Sequence, residues 1–273
     1  MRWTVAPLLL ALLPWSCTTR AEPADGGAAA APAAAEDAAP EEPAAPARLF
    51  VHVFSAGFEH GVAKPGPDGA DSLVEAQWRA WDAADDRFEA VISREPPASL
   101  DGFDGVFLYT TGELPWSDEQ RAMLLDFVRG GGGLIGAHCA TDTWYEWPEY
   151  GAMIGGYFAG HPWNEEVGVK VEVPDHPATR HLGVSFRIAD EIYQHKEPWD
   201  RSRLTVLLSL DPATTDMDKD GIYRADHDVA ISWLRHEGAG RVFYTGLGHR
   251  PEVWRDERFR RHLVEGALWA MGR

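Results

Sequence analysis

The residues of this chain that could do chemistry are histidines, a cysteine and acids set at the ends of apolar runs. Residues 130–142, GGGGLIGAHCATD, lead a short apolar strand into His138 and Cys139, with Asp142 just beyond. A thiolate nucleophile needs a neighbouring base and partial exposure. Successive side chains on a strand point to opposite faces, so His138 and Cys139 cannot both enter one cleft. No base pattern adjoins Cys139, so the expectation is a small buried filler there, with His138 as the presented side chain. Another strand ends in GLGH, which sets His249 in a comparable position. Asp190 and Glu191 precede Tyr193 at the expected end of a further strand and should point to opposite faces. One of them could join the histidines as a metal ligand or a general acid/base, and the other could be a solvated surface acid.

The stretch DMDKDG spaces Asp216, Asp218 and Asp220 alternately before Gly221. Hard oxygen ligands at that spacing open a calcium loop. The twelfth position is His227 where a bidentate glutamate belongs, so the alternative of a merely acidic loop stays open. The chain has 12 tryptophans, and Trp116, Trp144, Trp147, Trp163 and Trp199 fall in or beside expected loops. Aromatic faces beside polar groups suit the C–H faces of sugars, while core packing is the bland alternative.

The elements that must position these residues follow from periodicity. LFVHVFS (49–55), RFEAVISR (87–94), GVFLYT (105–110) and LIGAH (134–138) read as strands. Helices fall between them: ADSLVEAQWRAWDAAD (70–85), and a run from Ser117 to Val128 whose Gln120 completes a capping box. Beyond Tyr150 the strands VGVKVEV (167–173), FRIADEIY (186–193), TVLLSL (205–210), VAISWLR (229–235) and GRVFYTG (240–246) follow with few helices between, before a closing amphipathic helix over 257–271. The fold class is therefore α/β, a parallel sheet flanked by helices, with an additional antiparallel β section in the C-terminal half. Ligands bind beyond the carboxyl ends of parallel strands. The loops carrying Phe58-Glu59-His60, Thr110–Glu113 and His138–Asp142 should converge there.

Before Glu22 the chain has no acid, an early Arg2 and an apolar run from Val5 to Trp15, the layout of a signal peptide over 1–20. Cys17 stands where a lipoprotein would be acylated, with plain secretion as the alternative. Either way the protein is expected to be exported, to the periplasm or to the cell surface or outer membrane as a lipoprotein. Residues 21–47 are alanine, proline, glycine and acid without aromatic or β-branched residues, a composition that cannot offset its ordering entropy and should form a linker. Residues 48–273 suffice for one domain. The formal charge is −18, and an acidic domain without a basic stripe argues against nucleic acid and anionic membrane surfaces as partners. Membrane contact is expected only through an N-terminal lipid anchor. Cys139 is the one cysteine within the domain, so no internal disulfide can form there.

An ordered set of motifs then carries a resemblance. GGGLIGAHCATDTWYEWPEYGAMIGGYFAGHP, DHPATRHL, DEIY, GRVFYTGLGH and the closing ALWA, with the upstream GFEH and YTTGELPWSDEQRAMLLDFV, resemble the ThuA-like, trehalose-utilisation family over roughly residues 49 to 271. The resemblance implies a flavodoxin-like fold of the class I glutamine amidotransferase-like superfamily and a carbohydrate small molecule as ligand. Amidotransferases carry a cysteine at the elbow in a G-x-C pattern; here Gly136-Ala137-His138 puts histidine in that slot, so glutaminase chemistry is not implied. Residues 212–228 depart from the family's pattern: the DMDKDG run looks like an insertion, and Asp228 stands where a proline is usual.

Together these readings give an exported carbohydrate-active protein, as a metal-assisted hydrolase, lyase or isomerase of keto-glycosides or disaccharides, or as a non-catalytic carbohydrate-binding accessory. The catalytic candidates are His138, Glu191 and His249. The substrate-binding candidates are His60, Asp142, Trp144, His161 and Tyr193. A divalent transition metal suits the imidazole–carboxylate set, calcium suits Asp216, Asp218 and Asp220, and no nucleotide cofactor is expected.

Overall fold

Runs such as GVFLYTT (105–111) and GLIGA (133–137) are buried at every position and so demand cover on both faces, which helices supply to a nine-stranded mixed sheet. The computed structural model describes residues 45–273; the expected signal peptide, Cys17 and most of the expected linker lie outside the described residues. The strands are β1 (Ala47–Ser55), β2 (Phe88–Ser93), β3 (Gly105–Thr111), β4 (Gly133–Ala137), β5 (Tyr157–Val171), β6 (Ser185–Lys196), β7 (Thr205–Leu210), β8 (Ala230–Glu237) and β9 (Gly240–Thr245). Their spatial order is β2-β1-β3-β4-β9-β8-β7-β5-β6. The pairs from β2 to β9 are parallel, and those from β9 to β6 are antiparallel.

Helices α1 (Leu73–Asp82), α2 (Asp118–Arg129), α3 (Pro148–Ile154), α4 (Pro251–Trp254) and α5 (Glu257–Ala270) complete the chain. Both α1 and α2 begin with a reciprocal capping box, Ser72 with Glu75 and Ser117 with Gln120. Side chains of opposite parity feed two cores. Leu49, Val51, Phe107, Ile135 and Phe243 pack with Trp78 of α1 and Leu263 of α5, while Phe50, Val106, Leu108, Leu134 and Val242 pack with Leu124 of α2 and Ile154 of α3. Truncating an aromatic as enclosed as Trp78 or Trp233 to alanine would cost about 3–5 kcal/mol. Among the described residues no helix is long and apolar enough to cross a membrane.

Three expectations shift. The strand expected at 167–173 starts far earlier, at Tyr157, and ends at Val171. Its register slips between Phe158 and Gly160 and again between Gly160 and Trp163, and such bulges bend a strand. The β5–β6 hairpin brings β6 over the carboxyl end of β4, so that the Tyr193 ring lies 4.2 Å from the His138 ring. Consequently Asp190 and Glu191 sit inside β6 rather than at its end, and neither is solvated: both are buried. Finally, β4 stops at Ala137, and His138 opens a 3-10 turn with φ of +47°.

Two histidines far from the strand ends are locked neutral in the core. His52 donates from Nδ1 to the Ser93 carbonyl (3.0 Å) and accepts at Nε2 from Trp116 (3.2 Å). Burial lowers its pKa to about 4, and burial does the same to His262. The folded pKa is depressed, so the unfolded chain takes up these protons first. The stability these groups contribute is whole above pH ~6.5 and falls by about 1.4 kcal/mol per group and per pH unit as pH drops toward 4. Urea unfolding should therefore show a lower midpoint at pH 5 than at pH 7.5, and a His52→Gln variant should show a shallower fall.

Candidate functional site

Four chain segments deliver side chains to one point beyond the carboxyl ends of the parallel strands. His60 comes from the loop after β1, His138 from the turn after β4, His249 from the loop after β9, and Glu191 from β6. One donor atom from each of these four residues lies within 4.8 Å of the other three. A tetrahedral shell with bonds of 2.0–2.2 Å places its donors about 3.4 Å apart. His249 Nδ1 is 3.3 Å from His138 Nε2 and 3.2 Å from Glu191 Oε2, and His138 Nε2 is 3.5 Å from the same oxygen.

The supporting contacts fix which atoms face inward. His138 Nδ1 is 2.8 Å from the Gly246 carbonyl, which can only accept, so Nδ1 is the donor there and Nε2 is turned toward His249 and Glu191. Such a bond to a backbone carbonyl is what usually orients a ligating imidazole. Tyr244 hydroxyl donates to the His138 carbonyl (2.7 Å) and holds the left-handed backbone in place. His60 Nε2 is 3.3 Å from the Tyr193 hydroxyl, while the buried His60 Nδ1 has no hydrogen-bond partner. Glu191 Oε1 accepts from Asn164 (3.2 Å) and stands 3.3 Å from His161 Nδ1.

Charge follows geometry. Burial lowers the His60 pKa to about 3, with further lowering from His138 and His249, so this ring is neutral. Burial alone would raise the Glu191 pKa, but contacts with His138 and His249 pull it well below the usual carboxylate range. The Glu191 contact raises the pKa of His249 against the effect of burial.

In front of these donors lies a cavity of about 320 Å³ lined by Phe58, Asp142, Phe158, His161 and Tyr193 together with His60, Glu191 and His249. Asp142 accepts from the Tyr145 hydroxyl (2.6 Å), and burial raises its pKa. Its position is fixed through a tight crossing of loops. Gly112 donates to the Asp142 carbonyl (2.7 Å), and Ala56 donates to the Thr111 carbonyl (2.8 Å). Gly112 has φ of +75°, and a Cβ there would lie 2.6 Å from the Gly57 nitrogen; glycine is required at this crossing.

The structure thus brings His60, His138, Glu191 and His249 together, with Asp142, His161 and Tyr193 on the cavity wall. It does not bring Trp144. That ring is fully buried in the second core against Trp116, Trp147 and Tyr150. Trp116, Trp147, Trp163 and Trp199 are buried too, so core packing prevails over an aromatic platform. The exposed aromatic at the cleft is Phe58, at 66%, within the GFEH segment but valued in the sequence only as a neighbour of His60. Phe158 and Asn164 were missed because the beginning of β5 was missed.

The calcium-loop expectation also changes. Among the described residues Asp216, Asp218 and Asp220 are exposed and do not gather as a ligand group. Asp216 instead accepts from its own loop, at the Asp218 nitrogen (3.0 Å), and its carbonyl accepts from Trp163 (2.7 Å). The segment is tied to β6 by Gln194, which donates to the Gly221 carbonyl (2.8 Å) and accepts from the Tyr223 nitrogen (3.2 Å).

A family model described as ThuA, trehalose utilisation, matches residues 51–270, and the chain belongs to that family. Similar solved structures include a putative ThuA-like protein from Bacteroides uniformis, at 23% identity and TM-score 0.66 over 85% of this chain and 95% of the other. One from Parabacteroides merdae has 18% identity and TM-score 0.64 over 83% and 90%. A β-galactosidase from Bacillus circulans shares the fold at 12% identity and TM-score 0.52, over 83% of this chain and 31% of the other. No curated protein sequence matches.

Cys139 is buried and packs among core residues, and burial raises its thiol pKa well above the usual range. A thiol reagent such as DTNB should leave Cys139 unmodified in the native protein and modify it fully after denaturation, and Cys139→Ala should keep the functional properties of the site.

Proposed function

We propose that this ThuA-family protein binds a divalent transition metal through His60, His138, Glu191 and His249 and acts on a carbohydrate held in the adjoining cavity. The observation that carries the proposal is the convergence of three imidazoles and one carboxylate, with His138 fixed in its Nδ1–H tautomer by Gly246. An imidazole–carboxylate donor set without thiolate suits zinc, manganese or iron rather than a soft ion. The orphaned His60 Nδ1 fits the same reading, since a buried ring nitrogen without a hydrogen bond is costly unless something else engages it. When bound, the metal would supply a Lewis acid able to polarise a carbonyl or hydroxyl oxygen.

The chain's own residues then divide the remaining work. Glu191, held as a carboxylate, orients the imidazoles. Asp142 stands outside the ligand group, and its raised pKa suits it to exchange a proton with a ligand. Phe58 and Phe158 offer apolar faces to a sugar ring. The lining carries no lysine or arginine, which favours a neutral polyhydroxylated ligand over an anionic one. The reaction class these parts serve best is metal-assisted hydrolysis, elimination or isomerisation of a disaccharide or keto-glycoside, in keeping with the family's link to trehalose utilisation. The order β2-β1-β3-β4-β9 in the parallel half supports a flavodoxin-type origin. The apolar stretch before Cys17 supports an exported, lipid-anchored protein.

Metal analysis of protein purified without chelators should find about one equivalent of transition metal per chain, the occupancy of one ligand set. Treatment with a chelator should remove it and abolish turnover of trehalose-like disaccharides or their keto forms, and readdition should restore both. His138→Ala should lower metal occupancy at least tenfold and abolish turnover. If His138→Ala merely weakens sugar binding and wild-type protein shows no metal-dependent turnover, a non-catalytic carbohydrate-binding role replaces this one.

A further inference from the structure

Asp190 is a fully buried carboxylate that no lysine or arginine pairs among the described residues, although it stands beside the candidate ligand Glu191. A buried carboxyl group is expensive unless hydrogen bonds satisfy its oxygens. Strand geometry sends the two side chains in opposite directions. Glu191 faces the cavity, and Asp190 faces the loop after β9. There Asp190 Oδ2 accepts from the Gly248 nitrogen at 2.7 Å and Oδ1 accepts from the Arg250 nitrogen at 3.0 Å. The two bonds bracket His249, the one liganding candidate that lies on an exposed-side loop and is only half-buried. Gly248 has φ of +123°, and its carbonyl accepts from Tyr109 at 3.0 Å and Trp254 at 2.8 Å. The backbone on both sides of His249 is therefore fixed by side chains from β3, β6 and α4.

We infer that Asp190 is a positioning residue for His249, setting the affinity and geometry with which the four-residue centre holds its ion; the inference rests on the metal reading above. Two consecutive residues of β6 then serve the same centre, Glu191 as a donor and Asp190 as the anchor of another donor. Asn at this position keeps one accepting oxygen and turns an amide N–H toward a backbone N–H, which breaks one of the two anchoring bonds.

The test uses Co²⁺ as the probe, titrated into chelator-treated full-length wild type and Asp190→Asn. The expected result is one-site binding by wild type with visible ligand-field bands, a Kd raised about 10- to 100-fold in the variant, and shifted or weakened bands in the variant's saturated complex. The band change separates positioning from mere loss of stability, since a stability defect alone leaves the saturated spectrum intact. If Asp190→Asn does not fold, hydrogen exchange of wild type decides instead: the Gly248 and Arg250 amides should exchange as slowly as those of β9. Equal affinity and spectra in the two proteins, or rapid exchange at both amides, overturns the role of Asp190 and leaves the metal reading standing. Failure of wild type to bind Co²⁺ overturns both.

Discussion

The hydrogen bond between His138 Nδ1 and the Gly246 carbonyl joins the ends of two neighbouring parallel strands, and the candidate centre is built outward from it. Parallel pairing of β4 with β9, in register through Ala137 and Thr245, brings the two turns side by side. The left-handed backbone of His138 then rotates its ring toward Gly246. Such a conformation costs of order 1–3 kcal/mol for a residue other than glycine. Here the Tyr244 hydroxyl on the His138 carbonyl helps to retain it. The turn after β4 thus presents an imidazole to the cleft, and Cys139 is turned into the core.

Around that bond the protein keeps its imidazoles in distinct environments. His52, His195 and His262 are enclosed and held neutral by burial. They work as hydrogen-bonding members of the core. His60 shares their low pKa, yet its buried Nδ1 has no hydrogen-bond partner, and the residue gathers with His138, Glu191 and His249. What distinguishes this ligand candidate from the three core histidines is therefore where its ring nitrogens point. Composition and spacing carry no information about that direction.

The same limit explains how much could be read from the sequence. Strands β1 to β4, the Ser117 capping box, the antiparallel second half and the closing helix were legible because each is a local pattern of period two or 3.6. The ends of those strands pointed to His60, His138 and His249, since a parallel sheet concentrates its loops at one edge. Trp144 was misread because a tryptophan in a loop can turn inward as readily as outward, and here it fills the space beneath α3. The aspartates of 216–220 have calcium-loop spacing without the turn that would gather them. Asp190 was placed on the face opposite Glu191, but its burial was not legible, because the loop it packs against lies 58 to 60 residues away in sequence.

The crossing of Gly57 and Gly112 has a consequence for motion. Backbone meets backbone there without a side chain between, and Thr111 ties the two loops by accepting from Ala56 through its carbonyl and donating from its hydroxyl to the Phe58 carbonyl. Close-packed interiors transmit displacement rather than absorb it. A shift of the loop bearing His60 therefore carries Gly112 with it, and through Gly112 the backbone of Asp142. The imidazole side of the cleft and its Asp142 side are thus joined through backbone rather than through side chains.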